Sequence, residues 1–328
     1  MHVLRTLHLR AGTRRAYGAS QRKFLAFCSS IGVDGTLALS EDTLCKAAVD
    51  FCRTCKVTSL PQYFAAIQKF HTNAGHGPLP RNEPYRQTCR GLINFFGQVD
   101  KTEPKHALTL EDLGRIFDQL DLTNFEDSTF WATLTTAFFG LLRVSEYTDG
   151  ALRQQHVRLT DQGVSLTIPF SKTSLHPVEV RLSARDDFLC PLKAVEHYQI
   201  FLGKASRESK AGFFLAKARA TDPLTKAKFI AKLKGHVKAM GLNPANYSGH
   251  SLRRGGCTAM FLAGVNETFI AAHGRWRSLE YRKYLDFVND TQWRPTAILA
   301  KRGLNLLPSA AAAQLVTLPG NDPSVGRR

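Results

Sequence analysis

Residues 249–285 read GHSLRRGGCTAMFLAGVNETFIAAHGRWRSLEYRKYL, and the rest of the chain is best understood outward from them. The stretch opens with His250-Ser251-Leu252-Arg253-Arg254. Side chains three residues apart share one face of a helix, so His250 and Arg253 can converge on a single anion. Gly255 and Gly256 let a second backbone approach closely. An apolar helix follows (Cys257, Met260, Phe261), Gly264 stops it, and a second short helix leads into His273-Gly274-Arg275-Trp276. An aromatic and basic helix carrying Tyr281 and Tyr284 closes the stretch. Cations beside a late tyrosine point to a phosphodiester held against a phenolic nucleophile. The same pattern also fits a helix-turn-helix that only grips DNA, with its tyrosines as core or rim residues.

Upstream, Phe130–Tyr147 reads as one long apolar helix ending in Leu141-Leu142-Arg143-Val144-Ser145-Glu146. Arg143 and Glu146 are again three apart, so the carboxylate can hold the guanidinium in place; a partly buried structural ion pair fits as well. Strand-like pieces follow at Val157–Leu159, Val164–Pro169 and Val178–Leu182, giving a three-stranded antiparallel sheet. Its second turn, residues 170–177, puts Lys172 at a hairpin tip, where a lysine is either a mobile proton donor or a solvated charge. Helices return at Pro191–Leu202 and at Leu224–Met240, whose five lysines (Lys226, Lys228, Lys232, Lys234, Lys238) suit phosphate contacts. Thr109-Leu-Glu-Asp112 has capping-box spacing and opens this second domain.

Toward the amino terminus, residues 12–98 carry four amphipathic helical stripes, beginning near Thr13, Ser40, Ser59 and Pro84. A polar, Pro104-containing segment separates them from the rest. The expected organisation is a helical domain over 1–98, a linker over 99–107, a second domain over 108–290 and a tail over 291–328. In that tail Ser309–Val316 could form a short helix too small to stand alone. The fold class is mainly α with a small antiparallel sheet (α+β).

Composition narrows the partner. Among 328 residues, 44 Lys and Arg face 27 Asp and Glu, a net charge of +17 that points to a polyanion. The amino terminus lacks an apolar signal run, and the longest apolar stretch, Phe130–Leu142, is too short to span a bilayer, so no membrane partner is expected. Seven cysteines suit a reducing compartment. Cys52-Arg-Thr-Cys55 is half of a zinc motif without its other half, so no metal or cofactor is expected.

Taken in order, Arg143, Lys172, His250-x-x-Arg253, Gly274-Arg-Trp276 and Tyr284 resemble the catalytic series of the tyrosine recombinases and integrases. The Gly-Arg-Trp-x-Ser phrase is similar to enzymes of eukaryotic mobile elements of the DIRS-like and Crypton-like kinds. The resemblance implies a core-binding domain over 1–98 and a catalytic domain over 108–290. It also implies a site-specific recombinase that cuts and rejoins double-stranded DNA through a 3′-phosphotyrosine, to integrate or excise a mobile element. In that scheme Tyr284 attacks, Arg143 and Arg253 clamp the phosphate, His250 donates to it or exchanges a proton, Lys172 protonates the leaving 5′ oxygen and Glu146 orients Arg143. The family's third His or Trp stands nine residues before the nucleophile; Arg275 holds that spacing, Trp276 is one residue off and favoured, and His273 is the other candidate. A tetramer on DNA is implied, inside the cell and in the nucleus where the host is eukaryotic. A catalytically silent DNA-binding protein on this fold, or a type IB topoisomerase-like enzyme, fits many of the same residues.

Overall fold

The computed structural model describes residues 11–97, 105–169, 176–208, 210–218 and 221–284. It divides into two compact units, Met1–Glu103 and Pro104–Arg328.

The first unit packs α1 (Ala11–Ser30), α2 (Glu41–Cys52), α3 (Leu60–Asn73) and α4 (Glu83–Phe96) around Phe24, Leu44, Phe51, Phe64 and Ile67. Ser40 caps α2 by accepting from the Thr43 amide, which fixes the start that the sequence gives it. Lys23 of α1 lies over the rings of Phe51 and Tyr63 and donates to Cys55 Sγ at 2.8 Å.

In the second unit α5 (Leu110–Phe117) starts with the expected capping box, Thr109 and Asp112 each satisfying the other's backbone amide. The next helix, α6 (Phe125–Phe139), is buried on nearly every face, as a helix apolar all round must be. It packs against α8 (Pro191–Ile200) and α10 (Gly249–Leu262). The single long helix expected over Phe130–Tyr147 is not continuous. It stops at Phe139, turns through Leu141 in the left-handed region (φ 46°), and resumes as the four-residue α7 (Val144–Tyr147).

The sheet is antiparallel in the order β1 (Val157–Thr160), β2 (Gly163–Ile168), β3 (Val178–Ser183), with Val157 opposite Leu166 and Ile168 opposite Val178. Val164, Leu166, Ile168, Val180 and Leu182 point inward with the alternation a half-buried sheet requires. Helix α9 (Lys226–Ala239) buries Phe229, Leu233 and Val237. Of its five lysines, Lys232 is drawn into an ion pair with Asp127 at 2.5 Å and lies over the Phe130 ring, so it is less open than Lys226, Lys228 and Lys238, each of which is exposed. After α10 come α11 (Glu267–His273) and a 3-10 helix, Leu279–Tyr284, where an α-helix was expected. The tail, with its expected docking helix, lies outside the described residues. No described helix is long and apolar enough to cross a membrane.

Two glycines position α10. A Cβ on Gly255 would collide with the Leu108 carbonyl oxygen, and one on Gly256 with that of Phe138. Backbone therefore meets backbone at both places, as the sequence suggests. A methyl on Gly249 would press on Val144 Cβ at 2.8 Å, so the start of α10 lies directly against the start of α7.

Candidate active site: a braced helix break

Breaking α6 before α7 leaves carbonyl groups of the last turn without intrahelical donors. Side chains from the quoted stretch satisfy three successive ones. His273 Nε2 meets the Phe139 oxygen at 2.8 Å. Arg275 Nη1 donates to the Gly140 oxygen at 3.2 Å. The Leu141 oxygen accepts from Arg253 Nη1 and, at 3.1 Å, from Arg275 Nη2. Arg253 Nη2 also donates to the Gly274 oxygen at 2.6 Å, and its guanidinium stacks on the Trp276 ring at 4.0 Å. Gly274 is required here, because a Cβ would enter the Trp276 ring.

Arg143 is the residue from which α7 starts. Glu146, 3% exposed, bonds the Arg143 guanidinium through Oε1 at 2.9 Å and the Arg143 amide through Oε2 at 2.9 Å. Its Oε2 also receives Arg275 Nη2 at 2.8 Å. One buried carboxylate thus joins two arginines, which makes the pair foreseen between Arg143 and Glu146 part of a larger network. Burial pulls the Arg275 guanidinium below the ordinary arginine range while Glu146 pushes it back up; it remains charged.

His250, the first side chain of the motif, is exposed on α10. Desolvation of its ring, and then the charges of Arg253, Lys226, Arg143 and Arg254, hold it below the usual imidazole value. His250 and Arg253 lie three residues apart on α10, as the spacing implies, and Val144, next to Arg143, lies against Gly249 at the start of that helix. Arg253 itself is 0% exposed. The fork expected to face phosphate is turned inward here: its two terminal nitrogens are bonded to carbonyls.

The candidates for the third position part ways in space. His273 is tied to the Phe139 carbonyl, and burial lowers its pKa. Arg275 is turned inward to Glu146, and Trp276 lies over Arg253. Tyr281, 4% exposed, is bonded through its hydroxyl to Glu267 and packed with Leu141, Cys257 and Ile270, which marks it as core. Tyr284 ends the 3-10 helix. Lys172 falls between β2 and β3, outside the described residues. The sequence marks Lys226 for phosphate contacts and shows Arg254 in the motif, but does not link either to His250, whose imidazole feels both charges. The carbonyl brace it misses altogether, and nothing local signals it.

No family model matches the chain. By sequence it is 24% identical over 279 residues, 81% of this chain and 78% of the relative, to an integrase/recombinase XerD homologue of Selenomonas ruminantium. A lambda integrase fragment (75–356), solved as a dimer bound to a COC′ core site, superposes with a TM-score of 0.58 at 13% identity, covering 87% of this chain and 92% of the other. The Tn1549 transposon integrase (residues 82–397), solved with circular intermediate DNA, gives 0.54 at 15% identity over 80% and 86%. The fold is therefore that of the tyrosine recombinases and integrases, helical with a small antiparallel sheet.

Proposed function

We propose that the chain is a tyrosine-type, site-specific DNA recombinase or integrase, an enzyme that breaks and rejoins DNA. The observation that carries this reading is that Arg143, held by Glu146, and Arg253, bonded to the Leu141 carbonyl, are both placed at the α6–α7 break, with His250 on the same helix as Arg253. A phosphodiester transition state gathers negative charge on its non-bridging oxygens, which preplaced cations stabilise more than the ground state. Arg143 offers its guanidinium to those oxygens, and Arg253 joins by exchanging a carbonyl for phosphate under the Trp276 ring. His250, shifted toward its neutral form by desolvation and then by its cationic neighbours, donates its N–H or takes a proton. Tyr284 attacks phosphorus and keeps the 3′-phosphate, the 5′ oxygen leaves, and Lys172 supplies its proton. The bond energy is retained in the tyrosyl ester, so the reverse attack by a 5′-hydroxyl rejoins the strand.

The first unit clamps the duplex, with the open lysines of α9 adding phosphate contacts. On DNA the chain assembles as a tetramer, with the tail docking on a neighbouring copy, and it serves a mobile element of the DIRS-like or Crypton-like kind in a host nucleus. The XerD homologue and the DNA-bound neighbours support the DNA-acting recombinase or integrase; the tetramer, the tail docking and the kind of element rest on the sequence resemblance.

A duplex selected for binding from a random-sequence pool, then nicked to make a suicide substrate, tests it. The expected product is a covalent protein–DNA adduct that disappears when a complementary 5′-hydroxyl strand is added and ligated. Tight binding with no adduct overturns the enzyme reading in favour of a silent DNA-binding protein.

A further inference from the structure

The residue nine before Tyr284 is an arginine that faces away from solvent. Arg275 adopts a left-handed backbone (φ 60°), a conformation that is uncommon and costly outside glycine. That geometry turns a side chain 5% exposed into the protein, where its terminal nitrogens reach Glu146 Oε2 at 2.8 Å and the carbonyl oxygens of Leu141 at 3.1 Å, Gly140 at 3.2 Å and His273 at 3.1 Å. Among the described residues, Glu146 is the side chain that bonds the Arg143 guanidinium. The Leu141 oxygen is the one Arg275 shares with Arg253.

We infer that Arg275 is a positioning residue for both phosphate-binding arginines, an inference that rests on the recombinase reading above. Through Glu146 it fixes the aim of Arg143. Through the Leu141 carbonyl it keeps that oxygen bonded when Arg253 turns to phosphate, so the exchange leaves no buried acceptor stranded. A planar fork is needed for this, since one ammonium cannot span a carboxylate and the carbonyls of Gly140 and Leu141 together. Arg275 touches neither DNA nor the reacting atoms.

The test is single-turnover cleavage of nicked suicide duplexes by the full chain, with either a phosphodiester or a neutral methylphosphonate at the scissile position. Arg275→Lys keeps the charge opposite Glu146 but loses the fork. It should bind DNA and melt close to the parent, yet cleave the phosphodiester on the order of a hundredfold more slowly, the scale expected when a group is misplaced by about an ångström. On the methylphosphonate, which lacks the charge Arg143 neutralises, most of that deficit should vanish. Arg275→Gln leaves Glu146 paired with Arg143, and should show the same dependence on substrate if the lysine variant does not fold. Parental cleavage rates, or an equal deficit on both substrates, overturn the inference and leave Arg275 a fold residue only. Failure of the parent chain to form any adduct is a different result: it removes the recombinase reading, and this inference with it.

Discussion

The inner and outer sides of the site treat charge in opposite ways. Inside, Glu146, Arg253 and Arg275 are buried and bonded to one another or to backbone carbonyls. Outside, His250, Lys226 and the partly open Arg143 face the solvent, and His250 sits in the field of several cations. Buried ions cost several kcal/mol each to dehydrate and are weak stabilisers even when paired. Their presence at a strained helix break is better explained by what they hold than by the stability they add. The inner side sets geometry; the outer side meets the phosphate.

That division can be broken experimentally. The largest effect on folding should come from Glu146→Ala, which leaves Arg275 buried and unpaired. A loss of about 3–5 kcal/mol is expected in denaturant unfolding of the full chain. An unchanged midpoint would mean the network is not load-sharing. Next comes Arg143→Ala on the outer side. Here roughly 3 kcal/mol should be lost from the transition state, about a hundredfold in cleavage rate, with little change in unfolding or in DNA affinity. A destabilised Arg143→Ala protein that still cleaves at the parental rate would move Arg143 to the inner class.

A smaller effect separates the two sides by pH. His273 is bonded to the Phe139 carbonyl and its pKa lies below the ordinary 6.5, chiefly through burial. A depressed imidazole is neutral in both folded and unfolded chains well above 6.5, so it has no effect there. As pH falls below 6.5 the unfolded chain takes up the proton first, and stability is lost until the folded pKa is reached. His273→Gln should flatten the fall of melting temperature with pH in that acid window, without abolishing it, because His236 and His250 are depressed too. An unchanged slope would exclude His273 as a contributor. The smallest effect belongs to the first unit, where exposed pairs such as Lys46 and Asp42 should matter by less than about 0.5 kcal/mol; a larger loss in Asp42→Ala would contradict their solvated role.

Much of this was legible in the chain. Alternation at 157–183 gave the three strands because one face of the sheet is buried, and Thr109 and Ser40 declared their helices by their own side chains. Gly255 and Gly256 announced a close crossing. The helix break was hidden for a physical reason. Phe130–Leu142 carries no proline or charge to mark a stop, and the turn that ends it is sustained by His273, Arg275 and Arg253, which lie 112 to 135 residues away in the chain. No local rule could place Arg275 at Glu146, whereas the motif spacing did place His250 and Arg253 on one helix. The inward turn of Arg253 was likewise invisible, since it is set by the backbone carbonyls of Leu141 and Gly274 and by the Trp276 ring, which no local pattern places beside it.

Two tyrosines three residues apart offer the most direct test of all. Tyr281 is locked to Glu267 within the core, and Tyr284 is the proposed nucleophile. Trapping the full chain on a nicked suicide duplex, digesting the adduct and sequencing the DNA-linked peptide by mass spectrometry identifies the attacked side chain. The expected result is DNA on Tyr284, and no adduct from Tyr284→Phe while Tyr281→Phe still reacts. DNA on Tyr281, or an adduct that survives Tyr284→Phe, would contradict the assignment.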